Sequence, residues 1–206
     1  RAGDASGAIA AISRAIDFNA TDIYWRGFAD VKLAELPRIL TGSEAPELLQ
    51  SRFQTAASDA INAAQNATRA NPVDSENWKT LARIYEALIP LNISGVVDAA
   101  LSAYGEEAKR SPLSPEPILA QARIFAQAGD AQKARERAEA ALSLKSNYVP
   151  AHLFVAQLEE RAGDIEKAIE RLRAAALLNP AEVGTLFQLG LLYYRDGQFQ
   201  GARQIF

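Results

Sequence analysis

A chain of 206 residues, 49% of them hydrophobic, has the length for one or two domains and the material for a sizeable core. A net charge of −3 and a pI near 5.3 supply no basic field for nucleic acid or an anionic membrane surface. The absence of cysteine excludes disulfides, thiolate zinc sites and a cysteine nucleophile. No apolar run is long enough to predict a membrane-spanning helix.

The first predicted element is a helix over about 4–18, with Asp4 behind Gly3 as its N-cap and Ala8, Ile12, Ala15 and Ile16 along one face. A second helix starts near 22. "TGSEAP" then reads as a turn, and a helix from near Ser43 to about Ala70 follows, with Pro46 tolerated in its first turn. A helix pair starts near 75 with "ENWKTLARIYEAL", and "LIPLNISG" (Leu88 to Gly95) separates its two members. Further pairs start near 115, 149 and 182, the last being cut inside its second helix at Phe206. No strand is expected. The chain begins at Arg1 inside this pattern, without Met, and is expected to be a piece of a longer protein.

One period organises these elements. Gly129, Gly163 and Gly197 recur every 34 residues, as do Ala134, Ala168 and Ala202, and Ala141 with Ala175. Each Gly falls just past a helix, where a left-handed cap suits a residue without Cβ, and Asp130 and Asp164 follow as N-caps. The alanines let paired helices approach closely, and Pro72, Pro112 and Pro180 stop the chain from continuing as helix. Two stretches break the period. Pro72 and Pro112 stand 40 apart, an excess of six carried by "LIPLNISG". Ala20 and Pro72 stand 52 apart, an excess of 18 between Pro37 and about Arg52.

In phase with the glycines, Trp78, Leu81, Ala82 and Tyr85, and again Leu186, Leu189, Gly190, Tyr193, Gly197, Ala202 and Phe206, carry a pattern that resembles the tetratricopeptide repeat (TPR). The resemblance covers nearly the whole chain. It implies an all-α fold: a right-handed α-α superhelix, or solenoid, of about five helix pairs plus a leading helix. On this reading 1–206 is one solenoid segment of a longer chain. Its repeats are a partial 1–22, 23–74 with the long insertion, 75–114 with the short one, 115–148, 149–182 and a partial 183–206.

The family resemblance implies a non-catalytic scaffold that binds a protein or peptide in a concave groove lined by the first helices. Here that surface is expected to comprise Lys79, Arg83 and Glu86, then Leu119 and Arg123, then Leu153, Gln157 and Glu160, then Phe187, Leu191 and Tyr194. The competing reading of each is a solvated helix face. The carboxylate clamp of chaperone-binding members is absent. Lys79 fits it, but Arg83, Glu116 and Ala120 stand where the clamp needs other residues.

No enzyme is expected, and no cofactor. His152, the sole histidine, falls at a packing position, and neither a second His nor a Cys accompanies it as a metal ligand. Carboxylates such as Glu106–Glu107 and Glu159–Glu160 read as members of ion pairs, with Arg135 and Glu139 matched at helical spacing. Trp25 and Trp78 read as core or near-core positions of first helices, without a basic surround for stacked bases. Three N-x-S/T sequons make Asn19, Asn66 and Asn92 candidates for glycosylation, Asn92 being the most exposed. Asn19 shares its place before a repeat turn with Asn71 and Asn179, which a helix-end role explains.

Neither end shows a polar cap. Ala8, Ile12, Ala15 and Ile16 at one end, and Leu189, Leu192, Tyr193 and Phe199 at the other, present apolar stacking faces. More of the same chain, or a second copy stacked head to tail into a filament or surface assembly, would cover them. The long second helix and the "LIPLNISG" insertion also resemble, less specifically, the TPR region of O-antigen-ligase-type membrane proteins. That likeness implies a segment outside the bacterial cytoplasmic membrane, in the cell envelope.

Overall fold

The computed structural model describes residues 5–205, and the chain divides into two compact units, Arg1–Pro112 and Leu113–Phe206. In the first unit α1 (Ala5–Phe18), α2 (Asp22–Leu40), α3 (Pro46–Ala70), α4 (Ser75–Leu88) and α5 (Val96–Arg110) follow one another, with a 3-10 turn at Ile89–Leu91. The second unit holds α6 (Glu116–Gln127), α7 (Ala131–Leu144), α8 (Val149–Ala162), α9 (Ile165–Leu178), α10 (Val183–Arg195) and α11 (Phe199–Ile205). Among the described residues there is no strand, so the fold is all-α. The expected roles of Gly3, Asp4 and Phe206 lie outside the described residues.

In the second unit the 34-residue period appears as three equivalent bends. Gly129, Gly163 and Gly197 have φ of 82°, 84° and 75°. After each, the next residue's N–H donates to the carbonyl five positions earlier: Asp130 to Phe125 (2.9 Å), Asp164 to Glu159 (2.9 Å) and Gln198 to Tyr193 (2.8 Å). This is the Schellman closure, which satisfies carbonyls at the end of the first helix. The carboxylates of Asp130 and Asp164 then accept from the N–H groups of Lys133 and Lys167, starting the second helix. A Cβ at Gly163 meets nothing within 4 Å, so backbone conformation alone requires glycine there. Gly163→Ala is therefore expected to cost about 1 kcal/mol, read as a lower urea midpoint with an unchanged slope.

The alanines of the period are where helices touch. Ala122, Ala134, Ala141, Ala151, Ala168 and Ala175 are fully buried. Around them sit two apolar clusters. One joins α6, α7 and α8 through Leu119, Leu142 and Val155; the other joins α8, α9 and α10 through Ile169, Leu172, Leu189 and Leu192. Leu189 and Leu192 were expected on an open stacking face. They are instead buried against α8 and α9, where Ala156 and Ala168 leave room for them.

Ion pairs also run differently from the expectation of helical spacing. Arg135 of α7 does not pair with Glu139 but reaches Glu159 of α8, with Nη2 2.9 Å from Oε2. Glu139 accepts from Arg171 of α9, and Glu160 of α8 accepts from Arg195 of α10. Long guanidinium side chains thus bridge different helices and hold their register. Lys109 and Arg110 do pair with Glu106 along one helix, as expected.

The first unit is fixed by a polar knot. Asn77 of α4 is fully buried. Its amide nitrogen reaches Asp22 Oδ2 (3.1 Å), Ala67 O (3.2 Å) and Asn71 O (3.0 Å), and its Oδ1 accepts from Arg26 at 2.9 Å. Arg26 also pairs with Asp74 at 2.7 Å, and Asn71 donates to Asp22 at 3.1 Å. The start of α2, the end of α3 and the start of α4 therefore meet at one side chain. Beside it, the alanine stripe of α3 (Ala56, Ala60, Ala63, Ala64, Ala67) lies buried against its neighbours. Helix α3 starts at Pro46, three residues later than expected from the turn. A proline at the first helical position keeps Ala45 extended, with ψ of 140°, and so sets the boundary.

Candidate partner-binding surfaces

The two segments that break the period come together. One face of α3, read at Pro46, Leu49, Phe53, Ala57 and Ile61, forms a wall of an open groove, and Leu40 closes its α2 end. Leu88, Leu91 and Ile93, from the end of α4 and the six-residue insertion, form the other side. The groove encloses about 690 Å³. Its polar lining residues are Gln50, Gln54, Ser58 and Asn62, so no ionisable side chain lines it. Leu40 is 61% exposed, and Leu91 and Ile93 are also exposed. Large apolar side chains held in a concave, uncharged surface are the features of a binding site and not of a solvated face.

The insertion is shaped by two left-handed residues, Asn92 (φ 54°) and Gly95 (φ 80°). Asn92 turns the chain so that its neighbours Leu91 and Ile93 both line the groove. Asn tolerates this conformation and a β-branched residue does not. Asn92→Val is expected to cost about 1–2 kcal/mol and to disorder the Leu91–Ile93 wall, whereas Asn92→Gly keeps both. Hydrogen exchange of the loop amides distinguishes the two variants.

Of the groove residues predicted from the repeat pattern, Lys79 is half-buried and Arg83 exposed, its guanidinium 3.7 Å from Asp30 on α2. Burial raises the pKa of Asp30, and Arg83 opposes that shift. Leu119 is not available to a partner. It is 1% exposed and fills the first cluster of the second unit, because Ala122, Ala138 and Ala151 around it are too small to close the space. Arg123 and Gln157 line one small recess between α6 and α8, and Leu153 packs half-buried on the second cluster. Phe187, Leu191 and Tyr194 project from one face of α10 at 57%, 44% and 63% exposure, with Phe199 edge-on to Tyr194 at 5.5 Å.

His152 sits on α8 with Nε2 2.9 Å from the carbonyl of Ser146, a local tie at the start of the helix. Trp25 and Trp78 are both half-buried. Against the expectation of no basic surround, Trp78 stacks at 4.5 Å under the Arg110 guanidinium, which α5 brings beside it from 32 residues away. Asn19 donates its N–H to Ala15 O at the end of α1, Asn66 lies within α3, and Asn92 is exposed on the insertion. Among the described residues no helix is long and apolar enough to cross a membrane. Reasoning from the period overlooked the α3 groove. Its signal was present as apolar residues at helical spacing that begin inside the 18-residue excess and run on to Ile61, and as Leu88, Leu91 and Ile93 around the short one.

A family model, the tetratricopeptide repeat, matches residues 119–170 and 156–206. Among solved structures, the chain is similar to MamA, at 20% identity and a TM-score of 0.59 over 76% of this chain and 88% of that one. It is similar to TTC0263, a thermophilic TPR protein of Thermus thermophilus, at 16% identity and a TM-score of 0.64 over 93% and 92%. It is also similar to YrrB, a TPR protein with an unusual peptide-binding site, at 13% identity and a TM-score of 0.55 over 95% and 88%. No curated protein matches the chain. Residues 119–206 are thus tetratricopeptide repeats by sequence, and likeness at these identities extends the fold alone across both units. The chain as a whole has the all-α fold of the solenoid class, and the tetratricopeptide-repeat family itself is shown for residues 119–206. None of these three structures is of the O-antigen-ligase type, and they add nothing to that weaker likeness.

Proposed function

We propose that this chain is a non-catalytic scaffold that holds an apolar segment of a protein partner in the groove between α3 and the Leu88–Gly95 insertion. The observation that carries this reading is the convergence of both departures from the repeat period on one uncharged groove of about 690 Å³. Extra residues that served only to connect helices would be polar; these place Leu40, Leu49, Leu91 and Ile93 around a common space. The repeat class supports the role, since its members generally act as scaffolds. YrrB is described by its peptide-binding site, and another fold neighbour, Cut9, was solved in complex with Hcn1. The face of α10 bearing Phe187, Leu191 and Tyr194 is a second surface of the same scaffold, favoured by its exposed aromatics.

Selection of displayed peptides against the full chain tests the reading. Amphipathic peptides with apolar residues at helical spacing are expected to be retained by the native protein. The Leu40→Glu, Ile93→Glu double variant, which changes two exposed side chains, is expected to weaken them at least about tenfold. Peptides that bind this variant as well as the native chain, or a selection that yields none, would overturn it.

A further inference from the structure

The groove raises the question of what it receives, and the chain itself presents a matching element. Helix α10 reads VGTLFQLGLLYYR, and its single charged side chain, Arg195, is held at its end by Glu160. Its outer face carries Val183, Phe187, Leu191 and Tyr194, at the i, i+4, i+8 and i+11 positions of one helical stripe, all exposed. At the positions equivalent to Leu191 and Tyr194, the first helices of the same unit carry a charge, Arg123 on α6 and Glu160 on α8, so this neutral face is particular to α10.

Resting on the reading of the groove as a binding site, we propose that its occupant is the α10 face of a second copy of this chain. Three matches support it. The first is electrostatic: neither surface carries an ionisable charge, so docking strands none away from water. The second is length. At 1.5 Å per residue the stripe from Val183 to Tyr194 spans about 16 Å, and the wall from Pro46 to Ile61 about 22 Å. The third is area. With Phe187 and Tyr194 more than half exposed, the face offers on the order of 300–400 Å², and docking removes under about 1,000 Å² in total. That is the range of weak, transient contacts, so association is expected at roughly micromolar or higher concentrations. Because the face and the groove are different surfaces, the contact is heterologous: each copy both gives and receives.

Sedimentation of the full chain and two double variants decides the matter. Native protein is expected to gain mass from ~5 to ~500 μM. A groove variant (Leu40→Glu, Ile93→Glu) and a face variant (Phe187→Glu, Leu191→Glu), each with native far-ultraviolet circular dichroism, are each expected to stay monomeric. Mixed one to one, they are expected to form a 1:1 dimer and nothing larger, since one intact groove meets one intact face. A native chain that stays monomeric throughout, a face variant that self-associates like the native chain, or a mixture that stays monomeric overturns the proposal. If such a chain still retains displayed peptides that the groove variant loses, only the occupant was wrong. Loss of both results removes the groove as a binding site.

Discussion

Asn77→Ala is expected to lower the stability of the first unit by about 2–4 kcal/mol, the range for opening a buried hydrogen-bond knot. The side chain is fully buried and donates to three groups on two other helices, so truncation does more than delete one bond. Two carbonyls near the end of α3, Ala67 O and Asn71 O, lose a donor, and the half-buried Arg26 loses one of its two acceptors, keeping Asp74. Both tryptophans, Trp25 and Trp78, lie in this unit, so their fluorescence in urea reports its unfolding separately from the second unit, which has none. The effect also has a pH signature. The hydrogen bond from Asn77, against partial desolvation and with help from Asn71, holds the Asp22 carboxyl below its ordinary pKa of 3.8. A lowered folded pKa contributes stability that is present above the unfolded value and is lost as pH falls through the folded one. The gap between native and variant is therefore full at neutral pH and narrows below about pH 4. A gap that is constant from pH 7 to pH 3, or a loss under about 1 kcal/mol, contradicts this role for the knot.

How much of this was legible beforehand follows from what each residue has to satisfy. Gly163 and Asp164 were readable because a left-handed bend and an N-cap each admit few residue types, and both are set by backbone within a few positions. The period then placed every helix pair. Leu119 was misplaced because whether a helix position faces out depends on its neighbours. With Ala138 in place of a large residue, the space beside α7 has to be filled from α6. The groove was out of reach for a related reason. Its walls are about 40 residues apart in sequence and lie partly outside the period, so only their packing reveals that they share a surface. The pairing of Asn77 with Asp22, 55 residues away, had no local signal either.

Arg135 and Glu159 put the same distinction to a quantitative test. Glu159 stands where the repeat pattern wants a tyrosine, and it is 3% exposed, with Arg135 its bidentate partner. Arg135→Met leaves that carboxylate buried without its counter-ion. For a fully buried pair the loss is about 3–5 kcal/mol; Arg135 is 41% exposed, so solvent screening brings the expectation to about 2–3 kcal/mol. Removing both charges is a different matter. The double variant Arg135→Met, Glu159→Tyr restores the aromatic of the repeat pattern and leaves no ion to desolvate. It is expected to return to within about 1 kcal/mol of the native chain or to exceed it. Urea denaturation followed by circular dichroism, with hydrogen exchange at the amides of α8 to localise the change, measures both. If the double variant is as unstable as the single one, the pair is holding α7 and α8 in register through its geometry, and an aromatic cannot replace it. If the single variant loses nothing, the carboxylate finds water and its burial is not costly. The expected asymmetry, a large loss for one charge and almost none for two, arises only if the cost lies in the stranded carboxylate and not in the contact between helices.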